Sequence, residues 1–490
     1  MKKISIIIAA VLAMALTIIS CSKTEELSGG KKITITTLSA SIDDGANTLG
    51  TKVYITPNGL TNNGKKVTWQ TGGDKLTLVN DVTKASALFS YVGADNSSSG
   101  TFDGSLDANN GDKLYVFYND KGTVDAANIS ISVSYTGGTD NDRVFWDGST
   151  NTNSATNNSL MYGGLSIPSP DIVKVKNANS IIKTTINGGT ANYQHITVLA
   201  GNGELANAGT ATLSWSGTAA VLSWSNLNFG GVQYAIGSVL NLSTNNVWNH
   251  LLIPTPTGPV GPLYYLFSDA ELSTATSVYY VNTTSPVTLA ENKSYGLVKT
   301  VAQAAIVNSG GAIDDISKAV WINQSPASDS YVFNHINEPG APSAITLIEA
   351  NTTASVPRTY NGCVQLVTYI NNISTALPAS MFSGCTSLKN ISFAKVTAVP
   401  NFMFLGCSAL EYVSFPSATT LGNDPFINCP ALKTVKFYKI ITDWGAYTFS
   451  GANLTNTDLY VNKNQVLGIS GNSLTVGAET YVFKNIFKVL

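Results

Sequence analysis

Four cysteines recur every 22 residues, at Cys363, Cys385, Cys407 and Cys429, and each sits in the same phrase. Phe382-Ser383-Gly384-Cys385-Thr386-Ser387-Leu388 is followed by Phe404-Leu405-Gly406-Cys407-Ser408-Ala409-Leu410 and then by Phe426-Ile427-Asn428-Cys429-Pro430-Ala431-Leu432. A more divergent first copy reads Tyr360-Asn361-Gly362-Cys363-Val364-Gln365-Leu366. A chain that repeats itself at this period buries its apolar face only when neighbouring units stack, so the pattern demands a solenoid. Each unit places a cysteine three residues after an aromatic and a leucine three residues after the cysteine. A strand-like segment follows, as in Asn390-Ile391-Ser392-Phe393, Tyr412-Val413-Ser414-Phe415 and Thr434-Val435-Lys436-Phe437. Phe382, Phe404, Phe426, the four cysteines and Leu366, Leu388, Leu410 and Leu432 are the expected repeat core. A fifth, degenerate unit starts at Phe449, with Ala452 in the cysteine position, and residues 463–490 are expected to complete a C-terminal cap. Solenoids show a long regular flank to solvent, which points to macromolecular binding rather than to an active site.

A column of cysteines admits three readings. Coils about 4.8 Å apart fall within disulfide range, and four sulfurs are a zinc ligand set. A straight column does not converge on one ion, however, and buried thiols pack as small hydrophobes. Packing is the favoured reading, with disulfides and a metal site as alternatives.

The fifth cysteine lies near the start. Lys2 and Lys3 precede an apolar run from Ile4 to Ile19, which ends in Ile18-Ile19-Ser20-Cys21. This run is shorter than the ~20 residues of a membrane span and has the layout of a secretory signal. Its ending resembles the lipobox of bacterial lipoproteins, which implies lipid attachment at Cys21. Ser22-Lys23-Thr24-Glu25-Glu26 resembles the surface-export tether of lipoproteins of the Bacteroides group. Residues 1–21 are thus expected to be a signal peptide and 22–30 a tether, with the protein lipid-anchored at the outer membrane and exposed at the cell surface.

Between tether and repeats the chain alternates polar and apolar residues with period two, broken by Gly, Asn and Asp. Examples are Lys32-Ile33-Thr34-Ile35-Thr36 and Asp74-Lys75-Leu76-Thr77-Leu78-Val79. This is the pattern of antiparallel β-sandwiches. Two such domains are expected, 31–168 and 169–301, with 302–343 as a linker or cap and the repeats in 344–490.

The order Trp69…Gly73-Asp74-Lys75-Leu76, Phe102-Asp103-Gly104, Leu114-Tyr115-Val116-Phe117-Tyr118, Leu160-Met161-Tyr162-Gly163, Ser180-Ile181-Ile182-Lys183 and Leu251-Leu252-Ile253-Pro254 resembles the fimbrillin (Mfa-like) family over about 31–300. That resemblance implies a mainly β chain with two transthyretin-like β-sandwich domains ahead of the short leucine-rich-repeat solenoid. In polymerising members a neighbour's strand replaces a proteolytically removed first strand, a form of β-augmentation. This sequence departs from that pattern: no arginine lies between Cys21 and Asp142, and the second β-domain runs on into about 190 further residues. The repeats, in turn, resemble the leucine-rich repeats of BspA-type surface proteins, whose unit reads Phe-x-x-Cys-x-x-Leu-x-x-Ile.

Little else in the sequence carries chemistry. The charged fraction is 12% and the net charge −2, which offers no basic face for nucleic acid. Asp140-Asn141-Asp142 opens like a calcium loop, but Val144 occupies a ligand position. Gly59 and Gly64-Lys65 have phosphate-loop spacing, but Lys66 stands where Ser or Thr is needed. His195, His250 and His335 are scattered, and no nucleophile elbow is present. No catalytic residue, cofactor or metal is therefore expected. Trp146, Trp215, Trp224, Trp248, Trp321 and Trp444 could stack on sugars if exposed. The leading expectation is a non-enzymatic adhesin or an accessory or tip fimbrial protein, its repeats binding a host or bacterial surface protein. A structural fimbrial subunit polymerised by strand exchange, and an outer-membrane glycan-binding lipoprotein, are the alternatives.

Overall fold

A computed structural model describes residues 32–43, 69, 74–94, 97, 99–118, 122–134, 144–146, 160–168, 172–189, 192–242, 246–255, 258–308, 310–324, 329–350, 359–466 and 468–489. Cys21, the tether, the Asp140–Asp142 motif and the Gly59–Lys65 motif lie outside them. The chain is mainly β, and no helix among the described residues is long and apolar enough to cross a membrane.

The first β-domain opens with strand Lys32–Asp43, in which Ile35, Leu38 and Ala40 point inward. The inward parity shifts because the ladder to Ser99–Asn109 slips between Ile35 and Thr37. The same strand also pairs in parallel with Val173–Asn177. The ladder therefore closes into a seven-stranded barrel, joining at both edges what a sandwich keeps as two sheets. Trp69 fills its centre fully buried, edge-on to Phe102 at 5.0 Å and to Tyr118 at 5.6 Å.

The second β-domain packs a four-stranded sheet built around Ser180–Asn187 against a five-stranded sheet built around Asn192–Ala200 and Leu263–Ser268. The boundary expected at residue 168 is not a division between separate ladders. Val173–Asn177, sequence-assigned to the second domain, completes the barrel. Conversely, Ser130–Ser134 pairs with Ala206–Ser216, and Val144–Trp146 with Asn246–Leu252. Tyr162 of the barrel also donates to Glu291 at 2.6 Å, and Glu291 pairs with Lys176 at 2.7 Å.

The solenoid forms one nine-stranded parallel sheet. Within 302–343, Ala302–Gln303 pairs with Val278–Asn282 of the second β-domain, Ala305–Val307 and Val320–Asn323 are the first two strands of this parallel sheet, and helix Asp329–Ile336 packs Val332 and Ile336 into its core. Ile345–Glu349, Leu366–Asn371, Asn390–Phe393, Tyr412–Ser414, Thr434–Lys436, Asp458–Asn462 and Asn485–Val489 follow in order. In-register partners such as Tyr369 and Ile391, or Ile391 and Val413, are one repeat apart. A three-stranded sheet of Ile469–Ser470, Ser473–Val476 and Glu479–Val482 buries Leu474, Tyr481 and Phe483 against the last coil.

Strand alternation gives this sheet two faces. Leu347, Tyr369, Ile391, Val413, Val435 and Leu459 point into the solenoid. The opposite face is not free: the second β-domain covers it. Ile322, Ile348 and Ile370 pack there against Leu199, Tyr264, Leu266 and Val278. Farther along, the contact turns polar. Turn Gly201–Leu205 lies fully buried on the sheet, and a Cβ at Gly203 would overlap the Ser392 hydroxyl. Beside it, Lys436 Nζ reaches Glu204 Oε1 at 2.8 Å and Oε2 at 2.9 Å, with both side chains at most 3% exposed. Tyr412 and Tyr460 flank the ammonium, their ring centroids 5.3 and 4.9 Å away.

Breaking a buried pair from one side strands the other charge at a cost of about 3–5 kcal/mol, whereas removing both costs less. Lys436→Met and Glu204→Gln are each expected to lower unfolding stability by about that amount, and the double variant by less than their sum. Urea denaturation of the full chain checks this; strict additivity would show that the two groups do not act as a pair.

Candidate functional site

Stacked coils put equivalent side chains in register, and in the core this makes two aromatic columns. Tyr360, Phe382, Phe404, Phe426 and Phe449 stack nearly parallel, with centroids 5.9, 5.9, 5.5 and 5.3 Å apart. Phe393, Phe415 and Phe437 form the second column at 5.5 and 6.4 Å. Leu366, Leu388, Leu410 and Leu432 lie beside them, all at most 1% exposed.

The cysteine column runs along the same core, every thiol buried and none in a disulfide. Each thiol after the first donates to the aromatic residue's carbonyl one coil back: Cys385 to Tyr360 O at 3.1 Å, Cys407 to Phe382 O at 3.0 Å and Cys429 to Phe404 O at 3.1 Å. The position thus asks for a small apolar side chain with one weak donor, which is cysteine. The residue before each cysteine is left-handed, with φ of 78°, 75° and 72° at Gly362, Gly384 and Gly406; Asn428 takes that place at 58°.

With its sheet face covered, the solenoid's open surface lies at its turns. Here a second left-handed position recurs once per coil, at Ser380, Phe402, Asp424 and Tyr447, with φ of 56°, 54°, 55° and 50°. Glycine would relieve this conformation, yet no coil uses it. Phe402 is 40% exposed and Tyr447 53%. Backbone bonds join the turns coil to coil: Ser380 N to Asn401 O, Phe402 N to Asn423 O and Asp424 N to Ala446 O. Asn401 Oδ1 accepts from Asn423 N, and Asn423 Oδ1 from Ala446 N, which fixes the edge further.

The remaining sequence candidates are dispersed. Trp321 and Trp444 are buried and Trp215 and Trp224 half-buried; Trp215 lies edge-on to Tyr115 at 6.0 Å. The side chains of Trp146, Trp248 and His250 fall outside the described residues. His335 stacks on Tyr331 at the end of its helix, while His195 sits in strand Asn192–Ala200. Among the described residues no three His, Cys, Asp or Glu side chains gather as a metal site would require.

The covered sheet face was missed from sequence, although a signal for it exists. Leu263-Tyr264-Tyr265-Leu266-Phe267 does not alternate, and every residue of that strand is buried. Leu263, Tyr265 and Phe267 face the domain core, Tyr264 and Leu266 the solenoid. Continuous apolar runs of this kind mark strands covered on both sides.

Residues 355–468 match the BspA type leucine rich repeat region, in six copies. No curated protein matches the chain. Among solved structures, the chain is similar to a candidate cell adhesion protein of Bacteroides uniformis at 10% identity and a TM-score of 0.31, over 48% of this chain and 90% of that one. It is also similar to one of Bacteroides ovatus at 12% identity and 0.30, over 48% and 86%. The tip fimbrial protein Mfa3 of Porphyromonas gingivalis, C-terminally truncated, aligns at 11% identity and 0.26, over 55% and 94%.

Burial pushes the Cys385 and Cys429 thiols up to about 12 from an ordinary value of 9.0, and it also raises Cys363 and Cys407. The folded chain therefore keeps these protons where the unfolded chain loses them. This contribution to stability is complete below about pH 9 and falls as pH rises from there toward 12. At pH 8 the native repeat thiols are expected to resist iodoacetamide and all four to react on unfolding, as mapped by peptide mass spectrometry. Replacing all four with Ala, which the fifth coil already carries at Ala452, is expected to flatten the alkaline loss of stability. Rapid native labelling would contradict the buried column.

Proposed function

We propose that this chain is a non-enzymatic, surface-exposed, lipid-anchored adhesin or accessory fimbrial protein, whose repeats bind a protein on another cell. The observation that carries this reading is the division of the solenoid's surface. One face of its sheet is sealed by the second β-domain, so the repeats are held as a rigid extension of the β-domains. The turn edge is left open and carries exposed aromatics at strained positions. Strain of this kind persists where function retains it. Anchorage through Cys21 would place the β-domains next to the membrane as a stalk for that edge.

The solenoid is best tested within the whole chain, because removal of the second domain would expose Ile322, Ile348 and Ile370. Beads coated with the full chain are expected to adhere to epithelial monolayers or to bacterial cells, and trypsin treatment of the target cells is expected to abolish adhesion. Adhesion no better than that of albumin-coated beads would overturn the reading. In the source cells, Cys21→Ser is expected to move the protein from the membrane pellet to the soluble fraction; unchanged pelleting would contradict lipid anchoring. Shearing intact cells separates the two forms of the proposal. Release with filaments marks a fimbrial accessory subunit, and retention with membranes marks a free-standing adhesin.

A further inference from the structure

We propose that the turn edge centred on Asp424 binds a protein segment that presents a lysine or arginine set among apolar residues. The inference rests on the adhesin reading and supplies the chemistry of its partner. Three neighbouring coils build the surface. Phe402 and Leu405 come from one turn, Asp424 and Ile427 from the equivalent positions of the next, and Tyr447 from the one after. Within each turn the outer residue is tied to the left-handed one, Leu405 N bonding Phe402 O at 3.3 Å and Ile427 N bonding Asp424 O at 3.5 Å. Two exposed aromatics and two half-exposed aliphatics therefore share this edge with one carboxylate and the exposed Asn401 and Asn423.

That carboxylate is unusual in its surroundings. Asp424 is half-buried, yet its side chain has no hydrogen-bond or ion-pair partner among the described residues. Three solenoid acids are engaged, whereas Asp424 is not: Glu411 pairs with Lys433 at 2.9 Å, Asp458 with Lys484 at 3.6 Å, and Glu349 accepts from Tyr360 at 2.6 Å. Asp424 acts electrostatically on the buried Tyr481 but has no cation beside it, and a half-buried carboxylate between exposed aromatics calls for a cation delivered from outside, where partial desolvation strengthens the pairing. Aromatic faces on either side suit the same guest, since Lys and Arg also stack over rings. Exposed Tyr and Phe are residue types enriched at protein interfaces.

The backbone argues in the same direction. A left-handed bulky residue costs roughly 1–2 kcal/mol, and Phe402 and Tyr447 carry that cost while exposed. Neither side chain repays it by filling the core. The strained positions also hold the side chains on a rigid frame, because the turns are hydrogen-bonded coil to coil. A preorganised surface of this kind loses little entropy on binding.

The test uses the full chain and arrays of short synthetic peptides, in which leucine and phenylalanine flank a central arginine, lysine, citrulline or glutamate. Wild-type protein is expected to retain the arginine and lysine peptides at least about tenfold better than the citrulline and glutamate ones, which corresponds to about 1.4 kcal/mol. Asp424→Asn keeps a residue that tolerates the left-handed backbone and is expected to remove the preference. Asp424→Lys is expected to reverse it toward glutamate. Phe402→Gly and Tyr447→Gly relieve backbone strain, so they are expected to hold or raise thermal stability while weakening every peptide. The inference is overturned if the wild type shows no preference for a cation, if Asp424→Asn leaves the preference intact, or if the glycine variants bind as the wild type does. Retention on immobilised glycans with no peptide preference overturns it as well. The bead assay separates this from the broader reading: wild-type and Asp424→Asn beads adhering equally would sink this site alone, whereas wild-type beads adhering to nothing would sink the adhesin reading.

Discussion

A coil of 22 residues cannot bury its own apolar side chains, and the rest of this structure follows from that constraint. Each coil offers Phe, Cys and Leu to a core that only the next coil can close. Stacking in register turns the repeated aromatics into columns at 5.3–5.9 Å. Each cysteine becomes a donor to the coil behind it. A Phe→Ala change in such a column would cost about 3–5 kcal/mol through the cavity it leaves. The ends of the stack meet the same demand with other means: the helix Asp329–Ile336 at one end and the three-stranded sheet with Tyr481 and Phe483 at the other.

Stacking also creates a broad parallel sheet, and parallel sheets are ordinarily covered on both faces. Here the second β-domain supplies the cover. Its contact is apolar over the early coils, through Ile322, Ile348 and Ile370, and polar over the later ones, where Gly203 lets the turn approach Ser392 and Glu204 meets Lys436. The buried ion pair contributes little to net stability, since the desolvation of both groups offsets much of their attraction. The open turns are then the surface that the whole assembly holds out.

The repeats were legible because translation along a solenoid leaves a fixed period in the sequence, and the Phe, Cys and Leu of each Phe-x-x-Cys-x-x-Leu phrase lie in the core. The period-two strands were legible for the same local reason. What was not legible depended on partners distant in the chain. Ser392, Ser414 and Lys436 are polar strand residues, yet all three are buried, which nothing local in the sequence indicates; the partner of Lys436 lies 232 residues away. Ser130–Ser134, Val144–Trp146 and Val173–Asn177 carry ordinary strand patterns that do not say which ladder they join. In each case the two β-domains exchange strands across the boundary that composition indicates. The left-handed turn position escaped notice because Ser380, Phe402, Asp424 and Tyr447 share a conformation but no residue type.

Everything proposed about binding rests on a sealed sheet face and an open turn edge, and one labelling experiment tests both at once. The repeat cysteines are buried, so with Cys21→Ser in place a single cysteine added to the native chain reports its own exposure. Ser414→Cys places the probe on the docked face, where Ser414 is 0% exposed, and Ser408→Cys places it at an exposed turn. The docked arrangement predicts prompt labelling at 408 and protection at 414 until the chain unfolds. Equal, rapid labelling at both positions would show that the second β-domain does not cover the solenoid.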